Sequence, residues 1–385
     1  MPDTSAMPSD QTAGTLWSAD HVAAIGPVAP YAAPLIGAAD LAEALPELGL
    51  WDAWPIQNDD GSIHRFADGT GLWMALGAPW FENPDDRHAH ARIHLLLRQA
   101  SGWRSLGPAM PEGFAPGSRE WSGSAIMDAD GGGLTLYFTA AGTRGEAQPT
   151  FGQRLFQARA RLAEDADAPR LTDWRDLRES VALDECLYMD PLSGGGGIGT
   201  IKAFRDPGFF RDPVTGEAWL FFTGSRAGSA SAFNGVIGAA RGAGGPDDPW
   251  QIVPPVISAD GLNNELERPH VIHHAGHYYL FWSTQAHVFD PAGPVGPTGL
   301  YGMVSDRLEG EWRPLNGTGL VIANPPEAPR QAYSWLVLPD LRVTSFVDDW
   351  GHGADHAGTR RFGGTFAPFL TLALNGERAR LRAAP

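Results

Sequence analysis

Short runs of β-branched, aromatic and aliphatic residues, each cut off by Gly, Pro, Asn or Asp, dominate the chain from about residue 93 onward. They fall at 93–97, 134–140, 154–160, 219–223, 278–283, 300–304, 335–338, 343–347 and 365–374. Runs of this length bounded by turn formers read as strands. No helix lies between them, so the chain must form a sandwich, a barrel or a propeller. The 48 Gly and 32 Pro leave little room for long helices, and 14 Trp supply many flat rings. Two short helices are expected ahead of the strands. One covers 18–24, with Ser18 as cap and Asp20 in its first turn; the other covers 38–47, interrupted at Pro46. Residues 1–14 are small and polar and are expected to be frayed. No linker-like gap follows, which predicts one domain over 15–385. No repeat is obvious by eye, and that does not exclude a divergent propeller.

The charge balance restricts the partners. There are 28 Lys plus Arg against 45 Asp plus Glu, a formal net charge of −17, and Lys202 is the sole lysine. A phosphate backbone or an anionic lipid surface needs clustered cations, so neither nucleic acid nor membrane is an expected partner. No apolar run approaches the roughly 20 residues that span a bilayer. The start, Met1-Pro2-Asp3-Thr4-Ser5, lacks the basic and apolar regions of a conventional signal peptide. Cys186 is the single cysteine, which removes intrachain disulfides and thiolate clusters together.

Three acidic motifs carry the chemistry: Leu50-Trp51-Asp52-Ala53-Trp54-Pro55, Phe204-Arg205-Asp206-Pro207 and Asn264-Glu265-Leu266-Glu267-Arg268-Pro269. Each sets a carboxylate beside an aromatic ring or an arginine, where desolvation makes an unpaired charge costly. Glycosyl transfer with retention needs such a set, one carboxylate to attack the anomeric carbon and a protonated one to donate to the leaving oxygen. Trp51, Trp54 and Trp121 offer faces for sugar C–H groups, and arginine forks bind hydroxyls. Taken singly, each motif reads equally as a turn carboxylate or a surface ion pair.

In combination these blocks resemble the levansucrase and inulosucrase family of glycoside hydrolases. The resemblance runs from about Trp17 to the end. It rests on Trp51-Asp52-Ala53-Trp54-Pro55, Glu120-Trp121-Ser122-Gly123-Ser124-Ala125, Phe204-Arg205-Asp206-Pro207, Glu265-Leu266-Glu267-Arg268-Pro269, Tyr333-Ser334 and Thr365-Phe366-Ala367-Pro368. Arg-Asp-Pro recurs at Arg211-Asp212-Pro213. Asp206 is preferred to Asp212 because Phe204 precedes it and Leu220-Phe221-Phe222 follows at the expected distance.

The resemblance implies an all-β, five-bladed propeller that splits sucrose and passes fructose to water or to sugar acceptors, without a cofactor; the alternatives are a different five-bladed glycosidase, acting on arabinan, and a carbohydrate-binding propeller without catalysis. It implies Asp52 as nucleophile, Asp206 as stabiliser of the oxocarbenium ion and Glu267 as acid/base. Trp51, Trp121, Ser122, Arg205, Glu265, Arg268, Gln285 and Tyr333 are implied to line the sugar site. Ser122 is expected to donate to the Asp52 carboxylate, and Glu265 with partial burial to keep Glu267 protonated. Relatives of this kind are usually exported, which implies an extracellular enzyme. Asn264, Thr223 and Gln285 depart from the residues common at the glucose and acceptor subsites. Weakened acceptor binding follows, and with it an expectation of hydrolysis and short oligosaccharides rather than long polymer.

Other motifs read as structure. His88, His90 and His94 are expected as surface histidines at a strand entrance rather than zinc ligands. Asp128-Ala129-Asp130-Gly131 lacks the distal Glu of a calcium loop and is expected as a hairpin turn. Gly194 to Gly197 lacks the Lys-Ser/Thr of a phosphate loop and reads as a flexible loop. His270 is expected near the pocket.

Overall fold

The structure, a computed structural model, describes residues 14–42, 45–99, 102–164, 168–197, 200–245, 247–350 and 361–382. Apart from Gly14, the segment expected to be frayed lies outside the described residues. Strand β1 (Thr15–Leu16) leads into helix α1 (Ala19–Ala23). Then β2 (Gly49–Gln57), β3 (Gly71–Ala78), β4 (Arg92–Gln99) and β5 (Gly102–Pro108) pair in chain order, as do β6 (Arg119–Met127), β7 (Gly133–Ala141), β8 (Gln153–Glu164) and β9 (Pro169–Val181). These two quartets form one eight-stranded sheet only through β2 and β6, which pair in parallel at Ile56 with Ala125 and Gln57 with Ile126. The next sheet holds β10 (Phe204–Arg211), β11 (Ala218–Ser225), β12 (Gly235–Gly242) and β13 (Gln251–Ser258), with β1 parallel beside β13. A third holds β14 (Glu267–His274), β15 (His277–Thr284) and β16 (Gly299–Ser305), the last pairing with both β17 (Arg313–Pro314) and β18 (Leu320–Ala323). The fourth is β19 (Ala332–Val337), β20 (Arg342–Val347), β21 (Leu370–Asn375) and β22 (Arg378–Leu381).

The burial pattern explains why these strands read as continuous apolar runs. β3, β7, β11 and β16 are buried along their whole length. A strand covered on both faces has no polar side to alternate with. Each fully buried Phe or Leu contributes about 1.5–3 kcal/mol, and Phe221 and Phe222 point to opposite faces of β11. Trp17 ties the amino-terminal segment in. It is fully buried, its ring 5.3 Å from that of Trp282 and 4.9 Å from that of Tyr301, and its Nε1 donates to the Thr318 carbonyl at 3.0 Å. The segment therefore bridges the second and third sheets.

Helix α1 forms where it is expected, with Asp20 in its first turn and the Ser18 N–H donating to His21 Nδ1 at 3.0 Å. The second expected helix, over 38–47, does not form among the described residues of that stretch. Only Ala38–Asp40 makes a single 3₁₀ turn. A stretch this short, stopped by Pro46, cannot sustain an α-helix alone, and tertiary partners take its carbonyls. Thr365 Oγ1 donates to the Ala42 carbonyl at 2.9 Å and Trp80 Nε1 to that of Leu45 at 3.2 Å. The run at 365–374 is likewise strand only over Leu370–Asn375, because Pro368 has no N–H for a ladder. Asp128 to Gly131 forms the turn between β6 and β7, with the Gly131 N–H donating to the Asp128 carbonyl at 2.9 Å. His88 and His90 are exposed in a 3₁₀ segment, Pro84–His90, while His94 lies in β4, largely shielded, and burial lowers its pKa to about 4. Among the described residues, no three His, Cys, Asp or Glu side chains converge as a metal site, and no helix is long and apolar enough to cross a membrane.

Candidate active site

Five strands open their ladders with the same irregularity. Register slips between Trp51 and Trp54 in β2, Trp121 and Gly123 in β6, Arg205 and Gly208 in β10, Glu267 and His270 in β14, and Tyr333 and Leu336 in β19. Each slip is a bulge that re-aims the side chains around it. At four of them a non-glycine residue is left-handed: Asp52 (φ 49°), Asp206 (φ 62°), Arg268 (φ 50°) and Ser334 (φ 56°). Such a backbone is unfavourable outside glycine, and here hydrogen bonds between sheets hold it. Thr139 Oγ1 accepts from the Asp206 N–H at 2.8 Å and donates to the Ser122 carbonyl at 3.2 Å. Arg268 donates to Ser334 Oγ at 2.7 Å and to the Ala53 carbonyl at 2.9 Å, joining β14 to β19 and β2. His270 completes the brace. Its Nε2 accepts from the Val337 N–H at 2.8 Å, which leaves Nδ1 to donate to the Arg268 carbonyl at 2.9 Å. Burial lowers the His270 pKa to about 4, so this neutral tautomer persists across the physiological range.

The carboxylates meet at these bulges. Ser122 Oγ donates to Asp52 Oδ2 at 2.7 Å. Arg205 reaches three others, with Nη2 at 2.5 Å from Glu265 Oε2 and 2.9 Å from Glu267 Oε1, and Nε at 3.6 Å from Asp206 Oδ2. The Tyr333 hydroxyl donates to Glu267 Oε2. Burial opposes the charge of Arg205, yet the three carboxylates outweigh it and raise its pKa. Desolvation is also the main cause for two of the acids. It raises Asp206 to about 7, with Arg205 opposing and the charges of Glu267 and Asp52 adding. It raises Glu267 as well, against Arg205 and the Tyr333 hydrogen bond, with Glu265 adding. Trp51 is buried, braced edge-on by Phe362 and by the Arg87 guanidinium 5.4 Å from its ring centre. Trp121 is half-buried below the Arg119 guanidinium.

A family model described as levansucrase/invertase matches residues 7–234 and 226–384. The chain belongs to this family. It is a fructosyltransferase that draws fructosyl groups from sucrose. Levansucrase LscB of Pseudomonas savastanoi pv. glycinea is 30% identical over 95% of this chain and 90% of its own length. The levansucrase of Rahnella aquatilis is 30% identical over 95% and 93%. Among solved structures, an inulosucrase from Halalkalicoccus jeotgali bound to kestose superposes with a TM-score of 0.86 at 36% identity, covering 96% of this chain and 95% of that one. The levansucrase of Gluconacetobacter diazotrophicus, at 23% identity and a TM-score of 0.82 over 99% and 92%, shares the fold.

Within this levansucrase-type chain, Asp52, Ser122, Arg205, Asp206, Glu265, Glu267, Arg268 and Tyr333 converge through the contacts above. Asp212 instead sits in the turn between β10 and β11, accepting from the Tyr278 hydroxyl at 2.7 Å. Gln285 follows the end of β15, two residues past Ser283, which pairs with Glu267, and is half-buried. Thr223 and Asn264 are fully buried, so neither presents a group to an acceptor sugar. Of the three departures, only Gln285 is part-exposed. Thr223 Oγ1 is 3.0 Å from the Leu266 carbonyl and 3.3 Å from Asp206 Oδ2, a brace beneath the acids. Thr139 and Gln153 lie outside every sequence motif yet support the site, whereas Ser334 does so from within the Tyr333-Ser334 block. Gln153 Oε1 accepts from the Phe204 N–H at 3.1 Å and lies 3.5 Å from Arg205. Only position in the inter-sheet contacts distinguishes Thr139 and Gln153, and no local pattern signals it. Asp206, Arg268 and His270 also line a cavity of about 50 Å³ with Trp54, Ser124 and Val337, which brings His270 to the site's edge as expected.

Proposed function

We propose that this fructosyltransferase works by double displacement with retention, with Asp52 as nucleophile, Asp206 as stabiliser and Glu267 as acid/base. The observation that carries the reading is the charge balance at the bulges. Asp206, Glu265 and Glu267 face the Arg205 guanidinium, and Asp206 feels the charges of both Arg268 and Asp52. With Asp206 ionised and one proton on Glu267, these four acids and two guanidiniums carry a single net negative charge, and a furanosyl oxocarbenium ion neutralises it. A site ordered in advance for a charge that exists only in the transition state is how binding energy becomes rate. In the first step an Asp52 oxygen attacks the anomeric carbon of the fructosyl unit while the glucosyl oxygen takes the Glu267 proton, and glucose leaves. Glu267, now ionised, removes a proton from water or a sugar hydroxyl, which displaces Asp52 from the anomeric carbon with net retention.

The strand order supports five blades for this reading. β2, β6, β10, β14 and β19 each open a ladder that continues outward in chain order, and the β2–β6 contact that merges two quartets is two residue pairs long. Five such ladders around the five bulges make a five-bladed propeller with the acids at its axis. Gln285 favours water and short acceptors over long polymer. Incubation with sucrose is expected to release glucose, free fructose and short oligosaccharides, with nothing released from arabinan. Acid quenching is expected to trap a fructosyl group on the Asp52 peptide. Equal inactivity of the unaltered protein and Asp52→Ala would sink the mechanism, and chiefly high-molecular-mass fructan would sink the product assignment.

A further inference from the structure

The sole lysine of the chain is buried. Lys202 is 5% exposed, and its Nζ donates to the Ala232 carbonyl at 2.6 Å, Asn234 Oδ1 at 2.9 Å and Asn264 Oδ1 at 3.0 Å. An ammonium has three donors and no acceptor, so three oxygens in this arrangement suit it. It also dictates how the Asn264 amide sits. With Oδ1 turned to the lysine, the NH₂ group faces the Ile201 carbonyl at 2.9 Å and Glu265 Oε1 at 3.4 Å. Glu265 is thus held on one oxygen by Asn264 and on the other by Arg205, the guanidinium that it shares with Glu267. Asn263 fixes the same turn from the other side, its Oδ1 accepting from the Glu265 N–H at 2.8 Å.

We infer that Lys202 is a positioning residue for the sucrose site: a tethered internal cation that orients Asn264 so that its amide hydrogens hold Glu265 against Arg205. The inference rests on the sucrose reading for its kinetic consequence but not for its geometry. Without the ammonium, the two buried amide oxygens of Asn234 and Asn264 lose a donor and the Asn264 amide is free to turn its own oxygen toward Glu265. Glu265 then swings off, and Arg205 shifts between its two carboxylates. The defect falls chiefly on sucrose binding, because Asp52 keeps its Ser122 donor and Glu267, though it feels the Arg205 shift, keeps its Tyr333 donor.

The decisive variant is Lys202→Met, which keeps the aliphatic stem. In a folded Lys202→Met protein, KM for sucrose is expected to rise by about tenfold with kcat changed by less than about threefold, the pattern of lost binding alignment. A KM within about twofold of the unaltered enzyme overturns the inference. If Lys202→Met does not fold, Lys202→Ala refolded with propylammonium takes its place. A restored KM supports the inference, and a folded, supplemented protein with KM still raised overturns it. A crystal structure of either variant answers independently of sucrose, even if the unaltered enzyme leaves sucrose intact. Glu265 released from residue 264 supports the inference, and Glu265 retaining both partners refutes it.

Discussion

Asp206→Asn tests the electrostatics of the site through stability rather than activity. The Asp206 carboxyl is raised from 3.8 to about 7, chiefly by burial, so the folded protein holds this proton more tightly than the unfolded chain does. A raised value contributes stability that is complete below about pH 4 and is lost as pH climbs through about 7. Roughly three pH units at about 1.4 kcal/mol each set an upper bound on the order of 4 kcal/mol for the loss between pH 4 and 8. Glu267 belongs to the same cluster and is raised too. The two acids share the titration, and about half of the bound, roughly 2 kcal/mol, is expected from Asp206 alone. Asparagine has nearly the same shape, no charge to desolvate, and keeps the Thr223 contact. The expected result is an inactive variant that matches the unaltered protein near pH 4.5 and exceeds it by about 2 kcal/mol at pH 8, measured by urea unfolding followed through tryptophan fluorescence. A stability difference that does not grow with pH, or a variant weaker at pH 8, would refute the reasoning.

Ser122→Ala removes the 2.7 Å hydrogen bond to Asp52; a bond to a charged group is worth about 1.5–3 kcal/mol, so kcat/KM for sucrose is expected to fall roughly 10- to 100-fold with little change in melting temperature. Tyr333→Phe removes a donor whose hydrogen bond lowers the Glu267 pKa. The alkaline limb of the kcat profile is therefore expected to move to higher pH, and a limb that stays put or moves down would place the acid elsewhere. A protonated pyrrolidine carrying the fructose hydroxyls is expected to inhibit at least about tenfold more tightly than its neutral oxygen-ring counterpart, since the site is one positive charge short. In Asp206→Asn that preference is expected to vanish in competition assays.

Much of the fold is legible in the sequence because strands buried on both faces must be apolar throughout. Runs such as Trp219-Leu220-Phe221-Phe222 announce themselves that way, and the turns between them carry Gly, Asp or Pro. The failures have a common cause. The stretch over 38–47 has helical composition, but Thr365 and Trp80, more than 30 residues away, claim its carbonyls. Thr223 and Asn264 are polar residues that lie beneath the acids rather than among the sugars, since burial depth has no local signature. Lys202 is visible as a lone lysine, yet its three oxygen partners come from two distant segments, one at 232 and 234 and the other at 264. Contacts of that kind are tertiary facts, and one chain read without alignment does not contain them.

The bulges show why the acids nonetheless read so clearly. A left-handed residue inside a strand is costly for any side chain with a Cβ, and Asp bears it better than most. At Asp52 and Asp206 the charged residue is itself the left-handed one; at Arg268 and Ser334 it is the residue just after Glu267 and Tyr333. Glycine would relax the backbone at any of these points, but it would remove the carboxylates of Asp52 and Asp206 and the hydrogen bond between Arg268 and Ser334. The short aspartyl side chain satisfies both demands at once, which makes Asp-Ala and Asp-Pro after an aromatic or an arginine an uncommon pattern in a strand. Arg268 meets the same strain differently, by clasping Ser334 and the Ala53 carbonyl beside Asp52. The strain at one bulge is thus offset by bonds to two others, so the acids hold their positions only as a set. Substitution of Arg268 therefore reaches Asp52 through the backbone of β2, without any direct contact between the two side chains.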